Sequence, residues 1–316
     1  MQVQKAVLDA QKRVGLATEQ PTYGKSLLAV WQQAVADSSS CPAFTCLGHT
    51  LSYGEIDQLA RRVASYFQRQ LKLVPGDRIA VQLPNLTQYP VVVIAAWKLG
   101  LVIVNTNPMY TPRELEHQLN DAGVKAVVVL DQFYETLLEV LPSTSIEHVI
   151  VTRPIDLLPD PKRSFLSAAM VLMGKRPSLR KGRHIRFLDL FNYGSNYSVH
   201  RAKPDDICAL QYTGGTTGVS KGVMLTQTSM MANLAQLLDV ISILEEEVKH
   251  CVTVAPLPLY HIYAFALCMV LVPATRGHAV LIPDPRDLRA FVGAIKNVTF
   301  ALFCGLHALF LALLPV

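Results

Sequence analysis

One short segment, residues 212–226, carries the residues best suited to chemistry. It reads Tyr-Thr-Gly-Gly-Thr-Thr-Gly-Val-Ser-Lys-Gly-Val-Met-Leu-Thr and follows an apolar run at 207–210. Glycines let a backbone approach a ligand closely and turn its N–H groups toward an anion, while hydroxyls and a lysine add donors and positive charge. The segment therefore predicts a polyphosphate-binding loop between a strand and a helix. Its predicted contact residues are Thr213, Gly214, Gly215, Thr216, Thr217, Gly218, Ser220, Lys221 and Gly222.

Two common nucleotide-binding motifs are excluded by the same residues. The P-loop of many ATPases requires Gly-x-x-x-x-Gly-Lys-[Ser/Thr], whereas here Gly222 follows Lys221. The dinucleotide motif Gly-x-Gly-x-x-Gly does not occur in the sequence. A flexible surface linker is the simplest alternative, but a linker does not need a lysine and four hydroxyls in so short a segment.

The order of motifs resembles that of the adenylate-forming enzymes, which include acyl-CoA synthetases, luciferases and peptide-synthetase adenylation domains. The loop is similar to the phosphate-binding signature of that family, and residues 256–265 (Pro-Leu-Pro-Leu-Tyr-His-Ile-Tyr-Ala-Phe) are similar to its acyl-pocket motif. Segments 50–55, 75–85 and 100–110 match earlier landmarks in the same order. Together these segments most resemble bacterial long-chain fatty-acid–CoA ligases.

The resemblance implies an enzyme that activates a fatty acid with ATP and Mg²⁺ and then joins it to CoA. Lys221 and Thr217 would stabilise the leaving pyrophosphate as catalytic residues, and the Thr217 hydroxyl would also bind the metal. The resemblance places Tyr260, His261 and Tyr263 at the carboxylate end of the acyl pocket, with His261 as a catalytic residue. Judged by its apolar setting alone, His261 is more often an ordinary core histidine.

The later motifs of the family are not found in this sequence. These are the Gly-Tyr-Gly-x-Thr-Glu segment, an aspartate for the ribose, an arginine-containing hinge and a catalytic lysine. We therefore expect residues 1–316 to form an AMP-binding N-terminal domain that is incomplete at its C-terminus, without the small C-terminal domain. Two alternatives stay open, namely a non-catalytic remnant that binds acyl chains or membrane, and an adenylate-forming ligase for another carboxylic acid.

Composition excludes several other classes of protein. Hydrophobic residues make up 51% of the chain, so a large core is available, and six scattered cysteines indicate a reduced, cytoplasmic protein. The nine histidines show no metal-binding spacing, and the basic N-terminus does not predict a signal peptide. Residues 151–203 hold 11 Lys/Arg against 3 Asp/Glu, which is one local basic patch and not the pattern of a nucleic-acid-binding protein.

Apolar segments alternate between strand and helix patterns, which predicts an α/β fold of parallel, doubly wound sheets with flanking helices. A threonine, a proline and an early acid predict a helix start at Thr111. The other predicted helices are 55–69, 89–99 and 132–140. The predicted strands are 78–83, 101–105, 126–130, 148–152, 207–210, 252–255, 279–282 and 299–303.

Residues 153–200 interrupt this alternation and are predicted to form a basic insert. Within it, segment 162–186 carries eight Lys/Arg and no acid around an apolar run at 164–173. Ten helical residues span about 15 Å, half of a bilayer core, so the run cannot cross a membrane. It is expected either to lie peripherally on an anionic membrane at the cytoplasmic face or to form solvated surface. Two uncharged stretches, 251–275 and 298–316, are predicted to be buried protein core.

Overall fold

Two β-sheets organise the chain in this computed structural model, which describes residues 26–173, 184–213, 219–242 and 251–313. The strands are β1 Pro42–Cys46, β2 His49–Ser52, β3 Arg78–Gln82, β4 Val102–Asn105, β5 Val124–Leu130, β6 His148–Thr152, β7 Ile185–Arg186, β8 Ile207–Thr213, β9 Lys221–Thr226, β10 Val252–Ala255, β11 His278–Leu281 and β12 Leu302–Phe303. Within these residues the larger sheet has the order β7-β6-β5-β3-β4-β8-β9, and the smaller one has the order β12-β10-β11-β1-β2.

Most neighbouring strands are parallel, and each sheet has one antiparallel edge strand. These edges are β9, which pairs with β8, and β2, which pairs with β1. Both edge strands follow their partners after short connections, and short connections join antiparallel neighbours. The predicted α/β class is confirmed, and the sheets are mixed rather than wholly parallel.

Helices cover the sheets, and two of them begin at reciprocal caps. Ser52 and Glu55 form one capping box, and Thr111 and Glu114 form the other, which confirms the predicted start at Thr111. The α-helices are α1 Leu27–Ser38, α2 Tyr53–Arg69, α3 Gln88–Leu99, α4 Pro112–Asp121, α5 Tyr134–Val140, α6 Lys162–Leu172, α7 Gln227–Ser242, α8 Ile262–Phe265, α9 Val272–Ala274, α10 Leu288–Ile295 and α11 His307–Leu313. Short 3₁₀ turns occupy Asp131–Phe133, Leu141–Ser143 and Phe187–Asn192, and a π-helical turn occupies Ala266–Leu271.

Alternation along the strands assigns each side chain to one of two apolar layers. On β3, Ile79 and Val81 join a core shared with α2, α3 and the five-stranded sheet. Ala80 lies on the opposite face, in a core with residues of α4 and α5. The outer face of the five-stranded sheet packs Val254 against Phe291 of α10. Helices therefore lie on both faces of each sheet, as the doubly wound prediction requires.

The connection after β8 differs from the prediction. We expected the glycine-rich loop to lead directly into a helix, but strand β9 comes first and forms a hairpin with β8. A local cause is Gly222, which faces Tyr212 across the hairpin. A Cβ atom on Gly222 would lie 2.9 Å from the Tyr212 ring, so any larger residue here would have to displace that ring.

The apolar run in the predicted basic insert forms most of α6, which has no buried residue. The two uncharged stretches fold differently from a membrane span. Residues 251–275 contain β10, α8, the π-helical turn and α9 and are mostly buried, as predicted. The second stretch contains β12 and α11, and in its described part only Cys304 is buried, so the prediction of buried core is wrong there. Among the described residues no helix combines the length and apolarity needed to cross a bilayer.

All six cysteines lie within the described residues, and each is a free thiol. Five are buried and Cys41 is half-buried. Burial raises the pKa of the Cys208 thiol to about 12, which keeps it protonated and unreactive. The prediction of core cysteines is confirmed for the five buried ones.

Candidate functional site

The end of the β8–β9 hairpin carries the described part of the predicted phosphate loop. Thr213 on β8 pairs with Lys221 on β9, and both residues are exposed. Ser220 precedes Lys221 and is half-buried. The other predicted loop residues, Gly214, Gly215, Thr216, Thr217 and Gly218, lie outside the described residues.

Helix α4 holds this hairpin at two points. Nε2 of His117 donates a hydrogen bond to the main-chain oxygen of Ser220 over 2.9 Å. The hydroxyl of Tyr212 donates to a carboxylate oxygen of Asp121. Burial, followed by the contact with Asp121, raises the pKa of Tyr212 well above its ordinary value, so the phenol keeps its proton. Both strands of the hairpin are thus tied to one helix close to the predicted loop.

A buried amide joins the hairpin to the predicted acyl-pocket segment. Nε2 of Gln211, two residues before Thr213, donates to the main-chain oxygen of Tyr260 over 2.8 Å. Oε1 of Gln211 accepts a hydrogen bond from Nδ2 of Asn105 over 3.0 Å. A strand rises about 3.3 Å per residue, so Thr213 lies about 7 Å along β8 from the residue that contacts Tyr260.

The connection after β10, residues 256–261, is held by a second buried amide. Nδ2 of Asn85 donates to the main-chain oxygens of Ala255 and Leu257 over 2.9 and 2.8 Å. Oδ1 of Asn85 accepts a hydrogen bond from the main-chain nitrogen of Leu259 over 2.8 Å. Asn85 follows β3 in the larger sheet, whereas 256–261 extends the smaller one. The amide therefore fixes the two sheets relative to each other. We call residues 256–261 the bridging loop.

His261 ends the bridging loop and caps the first turn of α8 with extended backbone geometry. Its imidazole is exposed and lies beside the Tyr260 ring, with a centroid separation of 4.6 Å. Partial desolvation by the surrounding protein lowers the pKa of His261, which favours the neutral imidazole at pH 7. Tyr263 is also exposed, so the structure presents both side chains at the surface rather than in the core.

An apolar cleft of about 410 Å³ opens beside the bridging loop. It lies outside the carboxyl ends of strands from both sheets, the usual ligand position in open α/β folds. Of the predicted site residues that the structure describes, only Tyr260 lines this cleft. The others, which do not, are Thr213, Ser220, Lys221, Gly222, His261 and Tyr263. Other lining residues include Asn85, Met109, Phe133, Pro256, Asp284 and Arg286.

The connection between β8 and β9 follows the carboxyl end of a strand in the larger sheet. The bridging loop, which ends at His261, follows the carboxyl end of a strand in the smaller sheet. The sequence profile of the AMP-binding enzyme family matches residues 31–316. The chain belongs to this family.

Named relatives align with most of this chain. A long-chain-fatty-acid–CoA ligase of Escherichia coli O157:H7 is 38% identical over 297 residues, which cover 93% of this chain and 53% of the relative. The 4-coumarate–CoA ligase 2 of Oryza sativa subsp. japonica is 30% identical over 284 residues, covering 86% and 46%. The chain thus spans about half the length of the curated relatives it matches.

Solved structures agree on the fold. A long-chain-fatty-acid-CoA ligase from Archaeoglobus fulgidus superposes with a TM-score of 0.74 at 23% identity, covering 94% of this chain and 54% of that chain. Apo MatB from Rhodopseudomonas palustris superposes with a TM-score of 0.71 at 22% identity, covering 92% and 51%. Identities this low support the fold alone.

Sequence reasoning missed three residues that organise the site. These are Asn85, Asn105 and Gln211, all buried and all at or near the carboxyl end of a strand. Their signal was an amide inside or directly after an apolar strand, where an unpaired polar group would be costly. The sequence therefore indicated that these amides need hydrogen-bond partners, but it did not indicate which residues those partners are.

Proposed function

We propose that this chain is the part of a long-chain fatty-acid–CoA ligase that holds the phosphates of ATP and the carboxylate of the fatty acid. The observation that carries the proposal is the Gln211–Tyr260 hydrogen bond, which joins the predicted phosphate hairpin to the loop that bears His261. Adenylation requires a site that binds two anions close together. We propose that the hairpin binds the phosphates of ATP and that the bridging loop binds the carboxylate of the fatty acid.

The proposed reaction has two steps. A carboxylate oxygen attacks the α-phosphorus of ATP, the bond to the bridging oxygen breaks, and pyrophosphate leaves. The thiol of CoA then attacks the acyl carbon, AMP leaves with the electron pair, and a thioester forms. In the first step, the Gly214–Gly218 backbone, the hydroxyls of Thr213, Thr216 and Ser220, and the charge of Lys221 would stabilise the developing pyrophosphate. His261, Tyr260 and Tyr263 would orient the carboxylate.

Mg²⁺ enters the proposal through ATP and Thr217. The described residues contain no group of three or more His, Cys, Asp or Glu side chains that could hold a metal. A threonine hydroxyl is a hard oxygen ligand of the kind that Mg²⁺ accepts, and this ion is usually bound by substrate phosphates together with one or two protein ligands. The proposed metal site therefore consists of Thr217 and the phosphates of ATP.

Fatty acids are the proposed substrate class because the long-chain ligase of E. coli is 38% identical to this chain, against 30% for the 4-coumarate ligase. We test this choice by acid-dependent exchange of labelled pyrophosphate into ATP with the whole enzyme that carries these residues. Acetate, octanoate, palmitate and 4-coumarate form the panel. Highest kcat/KM with palmitate supports the proposal, and highest kcat/KM with 4-coumarate or acetate replaces it with another adenylate-forming ligase.

A peripheral contact with anionic membrane is the second part of the proposal. Helix α6 exposes Phe165 and Leu172, at 74% and 88% of their surface. Basic residues flank the helix, although Arg163 and Arg186 pair with Asp160 and Asp189 just outside segment 162–186. Exposed apolar side chains beside cations suit the headgroup region of a bilayer, where a lipid-derived substrate also lies. The proposed site of contact is the cytoplasmic surface of the membrane.

The proposed domain organisation follows the same reasoning. Residues 1–316 are proposed to form the AMP-binding part of such a ligase, with 153–200 as a basic insert within it. The insert 153–200 would serve the membrane contact rather than the chemistry.

A further inference from the structure

Gln211 is the point at which the hairpin and the bridging loop meet, and its surroundings fix the direction of its amide. The main-chain oxygen of Tyr260 can only accept a hydrogen bond, so the Gln211 amino group must face it, at 2.8 Å. Oε1 of Gln211 therefore faces Nδ2 of Asn105 at 3.0 Å. The contact between Gln211 and Asn105 is buried, and the contact with Tyr260 is partly buried.

Asn105 is itself held from two sides. Its Oδ1 accepts from the hydroxyl of Tyr89 over 2.5 Å, and its main-chain oxygen accepts from Nε2 of Gln118 over 3.0 Å. The Tyr89 hydroxyl also lies 3.0 Å from the main-chain oxygen of Leu259 in the bridging loop. A directed series of hydrogen bonds thus runs from α3 through β4 and β8 to the bridging loop.

We propose that Gln211 is a positioning residue for adenylation, which sets the distance between the bridging loop and the phosphate hairpin. The inference rests on the proposed function. Gln211 lies two residues before Thr213, and its hydrogen-bond partner Tyr260 is adjacent to His261. Attack of a carboxylate on phosphorus requires the reacting atoms to approach within about 3–3.5 Å, and a misplacement of about 1 Å can cost about 10²-fold in rate. Gln211 supplies the fixed spacing without contacting either substrate.

A purely structural role makes a different prediction. Loss of a buried hydrogen bond would then lower stability without changing the turnover of the folded enzyme. A positioning role requires a fall in kcat for pyrophosphate exchange in protein that remains folded. The two roles are separated by a substitution that restores the missing donor when the pH changes.

Gln211→Glu is that substitution. Its oxygens can still accept from Asn105, but an ionised carboxylate cannot donate to Tyr260 and repels its carbonyl oxygen. A buried glutamic acid has a raised pKa, and its protonated form regains the donor as the pH falls. Gln88→Glu is the matched control, because Gln88 is fully buried and donates to the main-chain oxygen of Arg153 over 2.7 Å and to Oγ1 of Thr152 over 3.2 Å, and neither partner belongs to the bridging loop.

The measurement is palmitate-dependent pyrophosphate exchange between about pH 6 and 8, at temperatures where each variant is folded by circular dichroism. We expect kcat of Gln211→Glu to be about 10- to 100-fold below wild type at pH 8, with a smaller change in KM for ATP, and the deficit to shrink toward pH 6. Gln211→Leu should show the same deficit at every pH, and Gln88→Glu should match wild type.

Three outcomes overturn the inference. They are a kcat of Gln211→Glu equal to wild type, a deficit that does not change with pH, and an equal deficit in Gln88→Glu. Failure of the proposed function is distinguishable, because wild-type enzyme would then show no acid-dependent exchange or would prefer another acid of the panel to palmitate.

Discussion

Tyr212 and Gly222 face each other across the β8–β9 hairpin, one residue pair before Thr213 and Lys221. A Cβ atom on Gly222 would lie 2.9 Å from the Tyr212 ring, and the ring cannot move freely because its hydroxyl is bonded to Asp121. The glycine therefore has a packing role in addition to any contact with phosphate.

Gly222→Ala is expected to lower the free energy of unfolding by about 1–3 kcal/mol, because the added methyl group must displace the Tyr212 ring. Gly293→Ala is the control, because Gly293 lies in helix α10 and a Cβ atom there would have no neighbour within 4 Å. The free energy of unfolding of this control should rise by about 0.5–1 kcal/mol. Urea unfolding of both variants checks the pair of expectations, and equal stabilities would show that the Tyr212 contact is not tight.

The buried ion pair between Lys98 and Asp57 gives a second prediction. The Nζ–Oδ1 distance is 2.7 Å, and Lys98 is 2% exposed. Lys98→Met leaves a buried carboxylate without its main cation and should cost about 3–5 kcal/mol. Lys125→Met breaks a pair of equal length with Asp77, but that lysine is 38% exposed, so its loss should cost at most about 1 kcal/mol. Similar losses in urea unfolding would contradict this ranking.

The same pair predicts a pH dependence. Burial opposes ionisation of Asp57, but Lys98 and hydrogen bonds from Arg61 and Trp31 outweigh it and hold the pKa of the carboxyl below its ordinary value. The unfolded chain then binds this proton more readily. The stabilisation is therefore present above about pH 4 and is lost as the pH falls through the lower pKa of the folded state. The free energy of unfolding of wild type should fall more steeply below about pH 4 than that of Asp57→Asn. Parallel pH dependences in the two proteins would contradict the assignment of this stabilisation to Asp57.

Membrane contact through α6 is tested by sedimentation with vesicles that contain phosphatidylglycerol. Phe165→Ser with Leu172→Ser should weaken binding, whereas Val74→Ser with Val199→Ser should not, although both control residues are also exposed. A variant with glutamine at Arg180, Lys181, Arg183 and Arg186 should also bind less, by about 1 kcal/mol for each charge near the surface.

Salt gives an independent check on that contact. Attraction between the basic segment and the lipid fades within a Debye length, about 8 Å at physiological ionic strength. Binding should therefore decrease as salt is added. If vesicle binding changes neither with salt nor with the α6 substitutions, α6 is ordinary solvated surface and not a membrane contact.

Local patterns in the sequence predicted most of the fold. Periodicity located eight of the twelve strands in the described residues and missed β1, β2, β7 and β9. The predicted helix start at Thr111 agrees with the observed one. Strand β9 was missed because Val223 and Met224 are exposed on an edge strand and lack the alternation of a half-buried strand. The hydrogen bonds of Asn85 and Gln211 join residues 174 and 49 positions apart. Such partners are determined by tertiary packing and not by any local pattern.

The most direct test of the central claim is palmitate-dependent pyrophosphate exchange by the whole enzyme with Lys221→Ala, Thr217→Ala or Lys296→Ala. Loss of one donor to a developing charge lowers a rate by about 10²–10³-fold. We predict losses of that size for Lys221→Ala and Thr217→Ala, and wild-type exchange for Lys296→Ala, whose lysine is exposed at the end of α10. Unchanged exchange in both hairpin variants would contradict the claim that this hairpin holds the phosphates of ATP.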